Sequence, residues 1–274
     1  MTDSSRSTLY YRHTLPVRVM HWTNVVALTV LFMSGLAIFN AHPNLYWGKS
    51  SYNGERPFLE ITARRDANGQ LMGVTRIYNR EFDTTGWLGA SAGDDGVVKR
   101  VAFPGWITLP SAYWLSKARE WHFFFAWIFV LNGLSYVLYS LWSRHLTRDL
   151  LPTGTDLRGI PRSIKDHAFF RHPKGEDAKR YNVLQKLAYL AVIFVLLPLI
   201  IVAGWGMSPW LNSIAPGWID WLGGRQSARS IHFIVAWLLV AFVLIHVFEV
   251  LISGVWNHLR SMITGRYRVD VEAK

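Results

Sequence analysis

The segment RSIHFIVAWLLVAFVLIHVFEV, residues 229–250, is almost entirely apolar yet contains two histidines, His232 and His246, fourteen positions apart. Fourteen residues of helix rise about 21 Å and turn to about 40° short of four full turns. Both imidazoles are therefore predicted on one face of a single helix, near opposite sides of a bilayer. Because an imidazole facing lipid is costly, both are expected to point into a helix bundle.

The composition is that of a membrane protein. The chain has 274 residues, of which 51% are hydrophobic and 17% charged, and its apolar residues are concentrated in runs. It contains no cysteine, which excludes disulfides, cysteine-ligated iron–sulfur clusters and covalent c-type haem attachment. The net charge of +11 comes from basic residues flanking the apolar runs, a pattern typical of membrane topology rather than of nucleic-acid binding.

Four segments are long and apolar enough to cross a bilayer, which takes about 20 helical residues. They are 17–39, 121–142, 184–207 and 230–256. The first is interpreted as a retained signal-anchor helix, because no A-x-A cleavage pattern follows it. The predicted fold is an all-α integral membrane protein, a single four-helix membrane domain over residues 1–274.

Orientation follows from the basic residues of the short connecting segments. Segment 143–183 carries nine Lys and Arg, and segment 208–230 carries two. The positive-inside rule therefore predicts that both termini and loop 143–183 lie in the cytoplasm and that the long loop 40–119 lies outside. In that long loop, Asn68 and Gly69 between two strand-like stretches predict a small β-hairpin, with ordered loop at the membrane surface around it.

Two further histidines complete a set. His21 falls near the inner end of the first span and His122 near the outer end of the second. His122 is then level with His232, and His21 with His246, which suits two stacked b-type haems whose irons each take two axial imidazoles. The alternative is four core histidines hydrogen-bonded to neighbouring helices. A structural zinc site is disfavoured, because its ligands converge on one point.

Glycines and the remaining histidines have weaker interpretations. Gly35, fourteen residues after His21, and Gly133 in the second span are expected either to leave room for a porphyrin or to let helices approach closely. The other histidines are expected to be mostly solvated; they are His13, His42, His145, His167, His172 and His258.

Several strings, taken in order, carry a resemblance to a known family. They are RVMHWTNV and SGLAIF in the first span, WHFFFAW in the second, YNVLQKLAY opening the third, the H-x13-H of the fourth, and the closing SMITGRY. The chain resembles the b-type cytochrome subunits of nickel–iron hydrogenase and the gamma subunit of formate dehydrogenase, within the bacterial cytochrome b561-like proteins. This resemblance implies a four-helix di-haem anchor, a multi-pass protein of the bacterial inner membrane, that passes electrons between an extracytoplasmic catalytic subunit and quinone.

The resemblance also implies roles for individual residues. The haem iron nearer the periplasm would be ligated by His122 and His232, and the iron nearer the cytoplasm by His21 and His246. The Y-N-x-x-Q-K motif resembles the quinone-pocket segment of the family, and it comprises Tyr181, Asn182 and Gln185 with Asn182 as a hydrogen-bond donor to quinone. The residues by themselves equally favour a helix start with an interfacial tyrosine.

Two features depart from the family. Loop 40–119 is much longer than the connection between the first two spans that is usual in the family. In this long loop the chain resembles the cytochromes that accompany periplasmic molybdopterin oxidoreductases of the sulfite-oxidase type. Glu249, three residues after His246, is an acid where the family leads us to expect none. It would either relay cytoplasmic protons to a reduced quinone or pair with an arginine such as Arg260.

The predicted function is that of an electron-transfer subunit of a respiratory membrane complex. Electrons would pass from a periplasmic oxidoreductase partner to the outer haem, the inner haem and then quinone, and no residue of the chain is assigned a catalytic role. One rival is a free-standing haem quinone oxidoreductase, such as a superoxide:quinone oxidoreductase. Another is a haem-free transporter whose histidines relay protons.

Overall fold

The computed structural model describes residues 6–50, 56–93, 96–169 and 181–271. Its helices, in chain order, are α1 (Leu15–Asn40), α2 (Leu115–Trp142), α3 (Gly154–Arg158), α4 (Ile160–Ala168), α5 (Val183–Gly206), α6 (Pro209–Ile214), α7 (Arg225–Ile252) and α8 (Val255–Thr264). Helices α1, α2, α5 and α7 are each long and apolar enough to cross a membrane, which confirms the four predicted spans. The β-strands are β1 (Arg6–Tyr11), β2 (Asn44–Leu45), β3 (Leu59–Arg65), β4 (Leu71–Ile77), β5 (Arg80–Asp83), β6 (Gly89–Ala92), β7 (Val98–Val101) and β8 (Arg266–Val271).

The ends of the spans differ from the predicted boundaries because apolar runs do not define helix ends. Helix α2 begins at Leu115 rather than at residue 121, and its polar first turns include an ion pair of 2.7 Å between Lys117 and Glu120. Helix α7 ends at Ile252 instead of residue 256, since Gly254 has a φ of 108°. That left-handed conformation favours glycine and separates α7 from α8.

Helix α5 contains an irregular turn next to a proline. Residues Val192–Leu196 form a π-helical turn, and Pro198 follows it. Proline has no N–H to donate and its ring crowds the carbonyl four residues earlier, so a wider turn accommodates it within the helix.

The chain divides into two compact units. The terminal unit comprises Met1–Asn24, Leu131–Pro198 and Trp237–Lys274, and the loop unit comprises Val25–Val130 and Leu199–Ala236. Each contains one end of α1, α2, α5 and α7. They are considered separately below.

The loop unit contains more β-structure than the sequence indicated. The hairpin of β3 and β4 is confirmed, and Asp66 at its turn accepts hydrogen bonds from the backbone of Asn68 at 2.9 Å and of Gln70 at 2.8 Å. Strands β2, β3, β4 and β5 form one antiparallel sheet, and β6 pairs with β7. The expectation of a single hairpin within ordered loop was too limited, because these extra strands have only two to four residues and show no clear alternation of apolar and polar residues.

Buried residues of this loop pack on the end of α1. The cluster consists of Leu36 and Phe39 from α1 and Leu45, Ile61, Ala102 and Phe103 from the loop. Asn40 adds polar contacts, since its Nδ2 donates to the carbonyls of Phe103 at 3.0 Å and Ala112 at 3.2 Å, and its Oδ1 accepts from the N–H of Phe103 at 2.7 Å. The side chain at the end of a span thus satisfies backbone groups of the loop that would otherwise be buried without partners.

The first turns of α7 hold the start of the same loop. Arg229 donates to the backbone carbonyls of His42 and Asn44, the latter at 2.9 Å. Ser230 is fully buried and donates to the carbonyl of Tyr46 at 2.6 Å. Because His232 lies one turn further along α7, these contacts fix the helix close to that histidine.

In the terminal unit, the two ends of the described chain form a β-ribbon. Strands β1 and β8 are antiparallel, with Tyr10 opposite Tyr267. Gly265 starts the return strand with a φ of 82°, and its carbonyl accepts from the N–H of Arg12 at 2.8 Å. The guanidinium of Arg12 lies over the rings of Tyr267 at 4.7 Å and Tyr181 at 5.5 Å. Nothing in the sequence indicated this pairing, which joins segments more than 250 positions apart.

Candidate functional site

In the loop unit, the imidazoles of His122 on α2 and His232 on α7 face each other. Their ring centroids are 6.1 Å apart and their planes differ by 62°. Imidazole nitrogens bind a metal ion at about 2.0–2.1 Å, so two rings on opposite sides of one ion have centroids about 6 Å apart. The pair therefore has the separation of two axial ligands to one iron.

Hydrogen bonds determine which nitrogen of each ring carries the proton. The Ser34 hydroxyl donates its single proton to the carbonyl of Val30 at 2.6 Å, so it accepts from Nδ1 of His122 at 3.1 Å. Nδ1 of His232 lies 2.9 Å from the carbonyl of Ile200, which can only accept. Both rings are thus protonated at Nδ1. The His122 ring also has a hydrogen bond to the backbone carbonyl of Leu31. With the proton on Nδ1, Nε2 of each ring offers the lone pair that an iron ligand requires.

Glycines lie against both of these rings. A Cβ atom at Gly35 would be 3.5 Å from Cε1 of His122, and one at Gly204 would be 3.3 Å from Cε1 of His232. The sequence singled out Gly35 as space for a porphyrin or for close helix approach, and the structure places it beside the His122 ring. Gly204 was missed, because a single glycine in the apolar third span carries no distinguishing pattern. Gly133 borders open space, since a Cβ there would meet no atom within 4 Å.

The terminal unit brings together the other two histidines. The centroids of His21 on α1 and His246 on α7 are 6.3 Å apart, and their planes differ by 65°. Phe242 stacks on His246 at 6.1 Å, and Trp22 presents an edge to His21 at 5.5 Å. The four histidines singled out from the sequence therefore meet in the expected pairs, each at the spacing of axial ligands.

The donor set fits haem better than a structural metal ion. Among the described residues, no group of three or more His, Cys, Asp or Glu is arranged to hold a metal ion. Two opposed imidazoles leave four equatorial positions around an iron, which is what a porphyrin fills. In contrast to the first pair, neither His21 nor His246 makes a ring hydrogen bond within the part of the chain described.

A pair of asparagines beside His21 was not anticipated. Nδ2 of Asn132 on α2 donates to Oδ1 of Asn24 at 2.7 Å and to the carbonyl of Met20 at 2.9 Å. Polar contacts between spanning helices stabilise their association, because the alternative is an unsatisfied amide in hydrocarbon. A lone asparagine in each of two apolar runs was the only available signal.

The predicted quinone residues form the start of α5. Asn182 caps this helix: its Oδ1 accepts from the N–H of Leu184 at 2.7 Å and from Ser163 at 3.0 Å. Gln185 completes the capping box by accepting from the N–H of Asn182 at 3.2 Å. The alternative of an ordinary helix start thus describes their local contacts, and a role in quinone binding stays a prediction.

Tyr181 lies directly before this cap. Its ring meets that of Tyr189 edge-on at 5.6 Å. Desolvation by burial raises the pKa of Tyr181 above its ordinary value, with a further contribution from Tyr189. The phenol therefore stays protonated at neutral pH, so its O–H is able to donate a hydrogen bond.

Lys186 adds a charge at the same helix start. It is 9% exposed, and its Nζ lies 2.8 Å from Oδ2 of Asp156, the N3 residue of α3. The hydrogen bond from Lys186 lowers the pKa of Asp156, so this carboxylate stays ionised. A lysine so near a span needs such a partner, and the pair ties α3 to the beginning of α5.

Glu249 is half-buried on α7, and no ion pair joins it to Arg260 in the described segments. The ion-pair alternative is therefore not observed. Its backbone carbonyl accepts a hydrogen bond from Ser253. A role in proton transfer stays a prediction.

Several remaining histidines are less solvated than expected. His145 pairs with Asp149 at 2.7 Å, and His258 contacts Ser253 at 3.1 Å. Desolvation by burial lowers the pKa of His13 to about 4, with smaller contributions from Arg12 and neighbouring histidines. His42 is exposed, His172 lies outside the described residues, and nothing is assigned to the side chain of His167.

Comparison with known proteins identifies the family of the chain. The family model for prokaryotic cytochrome b561 matches residues 12–265. A relative from Azospira oryzae, named as a candidate protein-methionine-sulfoxide reductase subunit, YedZ1, is 28% identical over 257 residues, which cover 94% of this chain and 98% of the relative. The family match spans all four apolar helices and all four paired histidines. The chain therefore belongs to the prokaryotic cytochrome b561 family, and it is a membrane-embedded electron-transfer protein of the b-haem type.

Proposed function

We propose that the chain carries two b haems, one held by His122 and His232 and the other by His21 and His246. The observation that carries this proposal is the pairing of the imidazoles at 6.1 and 6.3 Å. Four coincidentally packed histidines would not be expected to repeat one ligand geometry twice. When bound, haem supplies one-electron redox chemistry, and the protein sets its position and surroundings.

The chain's own residues prepare these sites. Ser34 and the Ile200 carbonyl hold His122 and His232 in the tautomer with an unprotonated Nε2. Gly35 and Gly204 keep side chains away from the same two rings. The apolar helices exclude water from the bound group, which limits side reactions and favours electron transfer over ligand binding.

We further propose that the protein is a multi-pass inner-membrane subunit with both termini in the cytoplasm. The excess of basic residues in loop 143–183 supports this orientation. Loop 40–119, with its sheet of four strands, would then lie outside as the docking region for a periplasmic oxidoreductase. The large size of this region supports a protein partner over a small-molecule donor.

The partner proposed from the loop is a molybdopterin oxidoreductase of the sulfite-oxidase type. The Azospira oryzae relative is named as a subunit of a candidate reductase, which supports a reductase as the partner. A reductase consumes electrons, so this relative favours electron flow from quinol outward, opposite to the direction expected from the sequence. The residues themselves are compatible with either direction.

A quinone site is proposed at the start of α5. A quinone carbonyl would accept hydrogen bonds from Nδ2 of Asn182 and from the protonated phenol of Tyr181, while Gln185 keeps the helix start in place. Glu249 is proposed to transfer the accompanying proton. Support for this site is its polar, hydrogen-bonded character at the end of an otherwise apolar span.

The visible spectrum of the purified, detergent-solubilised protein tests the central proposal. We expect a reduced b-type α-band and two haems per chain by pyridine haemochrome assay. A protein without haem would be a proton-relay transporter instead and would refute the proposal. Copurification from native membranes then separates a subunit from a free-standing quinone oxidoreductase, because only the subunit retains a second, larger redox protein.

A further inference from the structure

The two histidine pairs differ in their hydrogen bonds. Both rings of the His122 and His232 pair donate from Nδ1, to Ser34 and to the carbonyl of Ile200. Neither ring of the other pair has such an acceptor in the described part of the chain. The backbone carbonyl of Leu31 is a further hydrogen-bond partner of the His122 ring. Among these acceptors, Ser34 is the one that a side-chain substitution can remove.

Ser34 forms hydrogen bonds both within its own helix and to His122 on α2. It is fully buried, donates to the carbonyl of Val30 at 2.6 Å, and accepts from Nδ1 of His122 at 3.1 Å. Donation to the carbonyl increases the negative charge on Oγ, which makes Oγ a better acceptor for the imidazole. The result is a relay from the backbone carbonyl through the hydroxyl to the ring.

An acceptor at Nδ1 changes the ligand as well as its orientation. As the proton is drawn toward Ser34, the ring gains imidazolate character and its Nε2 becomes a stronger electron donor. A more electron-rich ligand stabilises ferric over ferrous iron, which lowers the reduction potential of a haem.

We infer that Ser34 is a positioning residue that lowers the midpoint potential of the haem held by His122 and His232. This inference rests on the proposed ligands. It goes beyond them because it assigns a potential-setting role to a residue that does not touch the iron. The haem held by His21 and His246 is unaffected by Ser34.

A redox titration followed by visible spectroscopy tests the inference on the purified, full-length, haem-loaded protein. Ser34→Ala removes the side-chain acceptor and leaves only the backbone carbonyl of Leu31, and Ser34→Cys replaces the hydroxyl with a weaker acceptor. We expect one of two potential components to move upward, more in Ser34→Ala than in Ser34→Cys, while the other component stays in place. Ser34→Thr retains a hydroxyl and is expected to stay close to the unsubstituted protein.

Ser135→Ala is the matched control. Ser135 lies in α2, and its hydroxyl donates to the carbonyl of Leu131 at 2.8 Å in the same manner as Ser34 donates to Val30. Unlike Ser34 it is exposed, and within the described segments no hydrogen bond joins it to a histidine. A substitution that disturbs only helix packing would act alike at both positions. We therefore expect no potential change in Ser135→Ala.

A substitution at a third position identifies the component. His122→Met alters one axial ligand and should change the same component that Ser34→Ala moves. If Ser34→Ala retains two haems with both potentials unchanged, the inference is wrong while the proposed ligands stand. The same holds if Ser34→Ala moves the potential component that His122→Met leaves unchanged. If the unsubstituted protein binds no haem, the proposed function itself fails. Should Ser34→Ala not assemble, the shift in Ser34→Cys decides the question.

Discussion

The amide of Asn132 donates to the side chain of Asn24 at 2.7 Å, three residues beyond His21 on α1. The same amide reaches the carbonyl of Met20 at 2.9 Å, so two hydrogen bonds hold α2 against α1 at this histidine. A single polar side chain therefore fixes the position of a predicted haem ligand without being a ligand. This contact is the basis of the first prediction.

Replacing Asn132 with leucine should loosen the site of His21 and His246. Polar contacts of this kind contribute about 0.6–2 kcal/mol to helix association. We expect Asn132→Leu to lower the thermal stability modestly and to reduce occupancy of one haem, as measured by haem-to-protein ratio. Asn24→Ala should act in the same direction, and the double variant should cost less than the two single variants combined. Strict additivity of the two would show that this hydrogen bond is unimportant.

Removal of one ligand should remove one haem. His122→Ala leaves His232 without its opposing ligand, so we expect the haem content to fall from two to one per chain while the site of His21 and His246 persists. His21→Ala should give the complementary result, with a different remaining spectrum. Retention of both haems in either variant would contradict the ligand assignment.

A side chain at Gly204 should displace His232. A Cβ there would lie 3.3 Å from Cε1 and 3.4 Å from Nδ1 of that ring, and the branches of valine would come closer still. We expect Gly204→Val to break the bond between His232 and Ile200 and to lower the haem content. Gly154→Val is the control, because Gly154 is exposed outside the spanning helices and a Cβ there meets nothing within 4 Å. Equal effects of the two substitutions would exclude a specific role for Gly204.

The buried state of His13 should make stability depend on pH. Its pKa is lowered to about 4 in the folded protein, against about 6.5 in an unfolded chain. The unfolded state therefore binds more protons between these values, so the contribution of His13 is complete above pH 6.5 and is lost as pH falls toward 4. The loss is on the order of 1–3 kcal/mol.

Thermal unfolding in detergent between pH 7.5 and 4.5 measures this effect. We expect the midpoint temperature of the unsubstituted protein to fall more steeply than that of His13→Gln, which stays neutral throughout. The charged and titratable groups that face His13 are Arg12, His21, His145 and His258. A second variant, His145→Gln, measures how much His145 contributes to the pH dependence of the midpoint temperature. Parallel pH profiles for His13→Gln and the unsubstituted protein would contradict the prediction.

The sequence by itself determined the four spans and the pairing of their histidines. Both depend on local properties: an apolar run of about 20 residues needs a helix in lipid, and helical geometry places His232 and His246 on one face. The Asn68-Gly69 hairpin was equally local, because a two-residue signal selects the turn. Such features need no knowledge of the side-chain contacts between the helices.

Only the tertiary structure decided which atoms surround those histidines. Ser34 and His122 are 88 positions apart, Ile200 and His232 are 32 apart, and β1 pairs with β8 from the opposite end of the chain. Whether a serine points at an imidazole depends on the rotation and spacing of two packed helices, and these are set by all their contacts together. A local pattern therefore indicates that a polar residue must find a partner, but the packing of the helices selects the partner.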